Sequence, residues 1–200
     1  MGLLFRPFQT YLFSFDPHVS LYLTMNKVVE RPPRTIMEVY KMLPEGTLAE
    51  LINGNIFMSP SPVRKHQRII GKLFSQLYEH VEKNHLGEVY VAPFDVYLDE
   101  EANSVQPDIV FVKVENLSIV SDHIHGVPDL VVEVLSEGNQ NYDLKIKKNL
   151  YEQFQIKEYW IIHPETGKAN VFFLNDGRFE QLPTTIGSLT SPMLSRVFTF

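Results

Sequence analysis

Apolar and polar positions divide the chain into two unlike parts. Residues 1–24, MGLLFRPFQTYLFSFDPHVSLYLT, are rich in aromatic side chains but keep neither a helical nor a strand period. From Thr35 onward the pattern becomes regular. Thr35 is placed to cap a short helix through Ile36, Val39 and Tyr40. The runs LAELI and NIFMS flank Asn53-Gly54, a strong signal for a hairpin, because both turn residues must tolerate positive φ. Ser59-Pro60-Ser61-Pro62 then forms a loop. After it, Ile70, Leu73, Phe74, Leu77 and Val81 recur at helical spacing, which predicts a helix over roughly residues 64–84.

Three extended runs follow, EVYVA, FDVYL and VQPDIVFVK, with the acidic turn DEEANS between the last two. PDLVVEVLS is nearly continuous in apolar residues and reads as a strand buried on both faces. A second helix is expected over about residues 141–155, capped by Asn139 or Asn141, and leads to the apolar strand KEYWIIHP. ANVFFL and FEQL make a closing hairpin. A buried strand, a helix and another buried strand form a crossover unit, so the fold class is α/β, with a mixed sheet flanked by helices.

Composition narrows this picture. Of 200 residues, 44% are hydrophobic and 21% charged, enough for one sizeable core. The reading is a single domain over residues 25–200 preceded by an extension over residues 1–24. That extension fails as a secretory signal, because Arg6, Gln9, Asp16 and His18 interrupt any apolar core, and Met25 offers an alternative start. The chain has no cysteine, which excludes disulfides and thiolate-held metals and suits a reducing cytoplasm. No apolar run has the length of a membrane span. The net charge of −6 runs against a nucleic-acid partner, yet Arg64, Lys65, Arg68 and Lys72 stand together with no acid among them.

Candidate chemistry begins with Glu133. It shares one face of its strand with Val131 and Leu135, and an ionised carboxylate there is costly unless it is paired or binds a metal. A buried ion pair with a facing helix is the plainer reading; a metal site is the sharper one. A metal needs a second carboxylate. Asp129 lies about 13 Å along the same strand, too far to share an ion, and is read as structural. Asp108 begins a different strand, and the two acids converge if that strand pairs beside 129–135; otherwise Asp108 is a strand-start turn residue. On the second helix Asp143, Lys147 and Tyr151 follow at i, i+4 and i+8 along the inward stripe, while Lys145 and Lys148 point to solvent. Lys147 then has two possible roles, an ion pair with Asp143 or a contact to a phosphate or attacking water. Glu50 shares a strand face with Leu48 and Ile52. His66 shares the inward stripe with Ile70 and Leu73, where a lone histidine reads as a core residue.

ELINGNIFMSPSP, His66, QPDIVFV, PDLVVEVLS and YDLKIKKNLYEQFQIKEYWIIHP together resemble the Uma-type restriction-endonuclease family, best known from cyanobacteria. The likeness runs from about Thr35 to about Pro164, with a looser tail to Phe200. Pro107-Asp108 and Glu133-Val134-Leu135 match the skeleton of the PD-(D/E)XK nucleases. The resemblance implies a restriction-endonuclease-like fold, Mg²⁺- or Mn²⁺-dependent hydrolysis of DNA phosphodiesters, and homodimers. It implies metal binding by Asp108 and Glu133, with Glu50 as an outer ligand; His66, Asp143, Lys147 and Tyr151 fall on other characteristic positions. The superfamily lysine would stand at Leu135, so Lys147 becomes the candidate replacement. Two carboxylates and a backbone carbonyl near Val134 suffice for magnesium. Arg64, Lys65, His66 and Arg68 are candidates for the DNA backbone.

Two rival functions remain open on the sequence. One is a degenerate nuclease fold retained as a nucleic-acid-binding or interaction module, favoured by Leu135 and the net acidity. The other is a glycosidase using the two carboxylates in an aromatic-lined cleft. The division of the chain makes one direct prediction. Removing residues 1–24 leaves the melting temperature and any activity of the remaining chain unchanged, and a large drop in thermal stability of the truncated protein would refute that boundary.

Overall fold

The computed structural model describes residues 31–136 and 142–200. The extension over residues 1–24 and the expected caps at Asn139 and Asn141 lie outside that range. Thr35 caps α1 (Ile36–Lys41), its hydroxyl accepting the Glu38 N–H at 3.1 Å. The Asn53-Gly54 turn joins β1 (Ala49–Ile52) to β2 (Asn55–Met58), with φ of 48° and 76° at the two turn residues. The periodic segment forms α2 (Arg64–Asn84), whose buried stripe is His66, Ile69, Ile70, Leu73, Leu77 and Val81.

Next come β3 (Gly87–Val91), β4 (Val96–Tyr97), β5 (Ser104–Val105), β6 (Ile109–Lys113), β7 (Ile124–His125) and β8 (Leu130–Val134). VQPDIVFVK is therefore not one strand. It breaks at Gln106-Pro107, and its halves enter different sheets. Proline has no N–H to donate, so the ladder cannot run through it. Gly87 is required where β3 meets β6: its φ is 146°, and a Cβ there would fall 2.0 Å from the Val112 carbonyl oxygen.

The second helix differs in its first half from the regular α-helix expected. Residues Tyr142–Lys147 make a wider turn with i→i+5 hydrogen bonds, and only Lys148–Gln153 continue as α3. The chain then forms β9 (Glu158–Ile162) and β10 (Lys168–Asn175), which pairs with β11 (Arg178–Gln181). Three further strands end the chain, β12 (Thr185–Ile186), β13 (Ser188–Ser191) and β14 (Arg196–Thr199).

Among the described residues the larger sheet has the order β11-β10-β9-β8-β6-β3, with β12 beside β10. It is antiparallel except for β8 and β9, which run parallel as the crossover requires. Alternation sends its side chains into two cores. Ile109, Phe111, Leu130, Val132, Val134, Trp160 and Ile162 pack beneath α2 and the β13–β14 hairpin. Val110, Val112, Val131, Leu135, Tyr159 and Ile161 pack against α3 and a smaller sheet of order β2-β1-β5-β4-β7. The central strands are thus apolar on both faces, and any polar group in them needs a partner. No helix among the described residues is long and apolar enough to cross a membrane.

Glu158 is such a group. It is fully buried, accepts the Trp160 indole N–H at 2.6 Å and the Met193 N–H at 2.9 Å, and so fastens the terminal hairpin to β9. Burial raises its carboxyl above the ordinary value of 4.5, more than these hydrogen bonds lower it. A raised folded-state value gives stability that is complete below the ordinary value and lost as pH rises through the raised one. Glu158→Gln is therefore expected to gain on the wild type as pH rises from 4.5. Urea denaturation at several pH values checks this; a pH-independent difference would refute it.

Candidate active site

Strand pairing brings the two predicted acids together. Ile109 pairs with Val132 across β6 and β8, and Asp108 and Glu133 come one residue further along each strand. Asp108 Oδ2 accepts the Val134 N–H at 2.7 Å, so its side chain closes the ladder where Pro107 ends it. The same oxygen lies 3.2 Å from His66 Nε2. His66 is buried, as its helical spacing required, but its imidazole reaches a site carboxylate instead of serving only the core. It is thereby separated from Arg64, Lys65 and Arg68, which stand exposed on the outer side of α2.

Glu133 faces away from α2, into the crossover. Its Oε1 accepts the Lys147 ammonium at 2.7 Å and the Tyr151 hydroxyl at 2.9 Å. Lys147 also reaches Glu50 Oε1 at 2.9 Å, and that oxygen accepts the Gln106 N–H at 2.9 Å. One buried ammonium thus joins a carboxylate on β1 of the smaller sheet to a carboxylate on β8 of the larger. The Glu133–Lys147 contact is the buried ion pair with a facing helix that was the plainer reading of Glu133; Glu50 as a further partner was not weighed for Lys147. The Asp143 side chain lies outside the described residues. Leu135, at the usual lysine position, is buried in the core beside α3, so the ammonium reaches Glu133 from the crossover and not from the strand itself.

Tyr151 is fully buried, and burial, then the adjacent Glu133 charge, hold its phenol well above the ordinary tyrosine range. It stays protonated and acts as a donor that fixes Glu133. Lys145 is exposed, as expected; Lys148 covers the rings of Phe172 and Phe179 at 5.2 and 5.8 Å. Asp129 is structural, accepting the Lys113 N–H at 2.8 Å and the Asn116 amide at 2.9 Å.

Glu50, His66, Gln106, Asp108, Glu133, Val134, Ser136 and Lys147 line one cleft of about 220 Å³, walled by Pro60, Pro62 and Pro93. Gln106 was not singled out from the sequence, although its place in QPD beside Asp108 carried the signal. Its side chain runs on to Asp95 at 3.0 Å, where the Tyr40 hydroxyl also donates at 2.9 Å. A larger hollow of about 430 Å³ lies at the far end of α2, but its one lining carboxylate, Glu115, is turned towards Lys113 at 3.8 Å. The candidate site residues gather in the smaller cleft.

The cleft's charged lining fits a divalent cation. Three carboxylates stand against one ammonium, which leaves a formal excess of two negative charges when His66 is neutral. All the acidic donors are hard oxygens. Among the described residues no three His, Asp or Glu side chains converge into a ready cage. Magnesium asks for less, since it binds through one or two carboxylates and keeps several waters. Asp108, with 15% of its side chain exposed against 7% for Glu133 and 4% for Glu50, is the most accessible of the three acids.

The mixed sheet flanked by helices is a nuclease-like fold. A solved structure from Anabaena variabilis ATCC 29413, described as "a putative nuclease belonging to DUF820", superposes with a TM-score of 0.66 at 18% identity, covering 82% of this chain and 92% of that one. At that identity the likeness establishes the fold. The chain belongs to the Uma2 family, described as "Putative restriction endonuclease", whose pattern matches residues 36–198. No curated protein matches the chain.

Removing one member of a buried ion cluster leaves the others uncompensated. Lys147→Met is expected to destabilise the fold by about 3 kcal/mol, measured by urea denaturation at neutral pH. A loss below about 0.5 kcal/mol, the scale of exposed pairs, would show that the ammonium is not held between the two glutamates in solution.

Proposed function

We propose that this protein is a magnesium- or manganese-dependent endonuclease that hydrolyses DNA phosphodiester bonds. The observation that carries the reading is the Lys147 ammonium held against Glu133 in the cleft that Asp108 also lines. Membership of the family and the nuclease-like fold support it. Asp108 and Glu133 would hold the cation, with the Val134 backbone beside them and Glu50 outside. A bound divalent cation supplies Lewis acidity to the phosphodiester and acidifies a water.

The chain's own groups do the rest. His66 and the Val134 N–H fix the Asp108 carboxylate, and Tyr151 fixes Glu133. Lys147, supported by Glu50, keeps a positive charge beside Glu133, where charge that develops on a phosphoryl oxygen is stabilised. A nearly dry pocket strengthens that interaction, because Lys147 is only 5% exposed. Arg64, Lys65 and Arg68 offer exposed cations to the backbone of the substrate; Lys65 is shared with Glu165 at 2.5 Å. The cleft lining holds no aromatic side chain among the described residues, which removes the sugar-stacking surface that the glycosidase reading needed.

The test is cleavage of supercoiled plasmid at low salt. Magnesium or manganese is expected to give nicked and linear DNA, a chelator none, and Asp108→Asn or Glu133→Gln a loss of at least about a hundredfold. Binding by three cations should weaken with salt, with a log–log slope of about −3. Metal-independent binding without cleavage would instead favour the non-catalytic binding module.

A further inference from the structure

The cleft around Glu133 is lined by apolar as well as charged side chains, and exposed apolar residues flank it in sequence. One wall is the loop between β2 and α2, with Ser59, Pro60 and Pro62; another is the end of β3 and the loop after it, with Val91, Ala92 and Pro93. Met58 and Val63 bracket the first wall and are 65% and 62% exposed, and Val91 is 40% exposed. None of these three belongs to a core cluster, so all three are free to meet a ligand. Two of the acids lie more than nine-tenths buried in this cleft.

A duplex fits such an entrance poorly. It is a stiff rod that presents sugar, phosphate and base edges but keeps its base faces stacked inside. An unpaired strand bends freely and exposes flat base faces, whose burial against aliphatic and proline surfaces is favourable, while its phosphates still need cations. The cations are present beside the cleft. Arg64, Arg68 and Lys72 follow at i, i+4 and i+8 on the exposed side of α2, rising about 6 Å from each to the next. Like charges at that spacing weaken an isolated helix, and a polyanion laid along them reverses the sign. Resting on the nuclease reading of the site, the geometry points to an unpaired strand, within a single-stranded stretch or at a frayed end, as the form of nucleic acid this cleft takes.

Fluorescence anisotropy on the full chain tests the assignment. The probes are a fluorescein-labelled 30-nucleotide strand without self-complementarity and its blunt duplex, at low salt with calcium in place of magnesium. The single strand is expected to bind at least about tenfold more tightly. Met58→Ser combined with Val63→Ser should cost about tenfold on the single strand and nothing on the duplex, because only unpaired bases meet those side chains. Both residues are exposed, and Val63 is the N-cap of α2, where serine is favoured, so a melting temperature no lower than the wild type's verifies the fold of this variant. Equal or tighter duplex binding, or an equal loss on both probes, overturns the assignment. Magnesium-supported cleavage of the duplex at the single-strand rate overturns it too and leaves the nuclease reading standing. Tight single-strand binding with no cleavage of either probe sinks the nuclease reading and leaves the strand assignment intact.

Discussion

The Lys147 ammonium between Glu50 and Glu133 is the constraint around which the site is organised. Each carboxylate alone would be a charge stranded in an apolar interior, and the two together would repel. A single cation from the crossover answers both. Such a cluster is weak evidence for stability, since well-packed apolar residues would serve the core as well or better. What the cluster does fix is geometry: one ammonium holds a carboxylate of each sheet at a set distance within the cleft.

Much of this was legible in the sequence because the periodicities were clean. α2 begins and ends where the recurrence of Ile70, Leu73, Leu77 and Val81 indicated, and Asn53-Gly54 made its hairpin. Glu133 stood out because a charge inside LVVEVL violates the pattern of a doubly buried strand. Asp108 could be set apart from Asp129 by distance along a strand, and the β6–β8 pairing puts it across from Glu133.

What was not legible required knowledge of the third dimension. Spacing put Lys147 on the inward stripe but could not show that a hairpin nearly a hundred residues earlier supplies Glu50 as its second partner. The widened turn over Tyr142–Lys147 leaves no signature in apolar periodicity. The break of VQPDIVFVK at Gln106-Pro107 was missed because a short Ser104-Val105 strand carries too little pattern to stand apart, although proline is the residue that forces the change of sheet. His66 read as a core residue, and it is buried as that reading required; its contact with Asp108 depends on where α2 crosses the end of β6, which no local pattern encodes.

The order of synthesis gives the split ownership of the site a further meaning. Glu50, His66, Asp108 and Glu133 all emerge from the ribosome before Lys147 and Tyr151, and β8 has no parallel neighbour until β9 follows. A nascent chain that stops short of the crossover carries the acids without the cation that gathers them. The link between the two sheets cannot close until the crossover has been made. A truncated product holding Glu50, Asp108 and Glu133 still lacks the ammonium that joins β1 to β8.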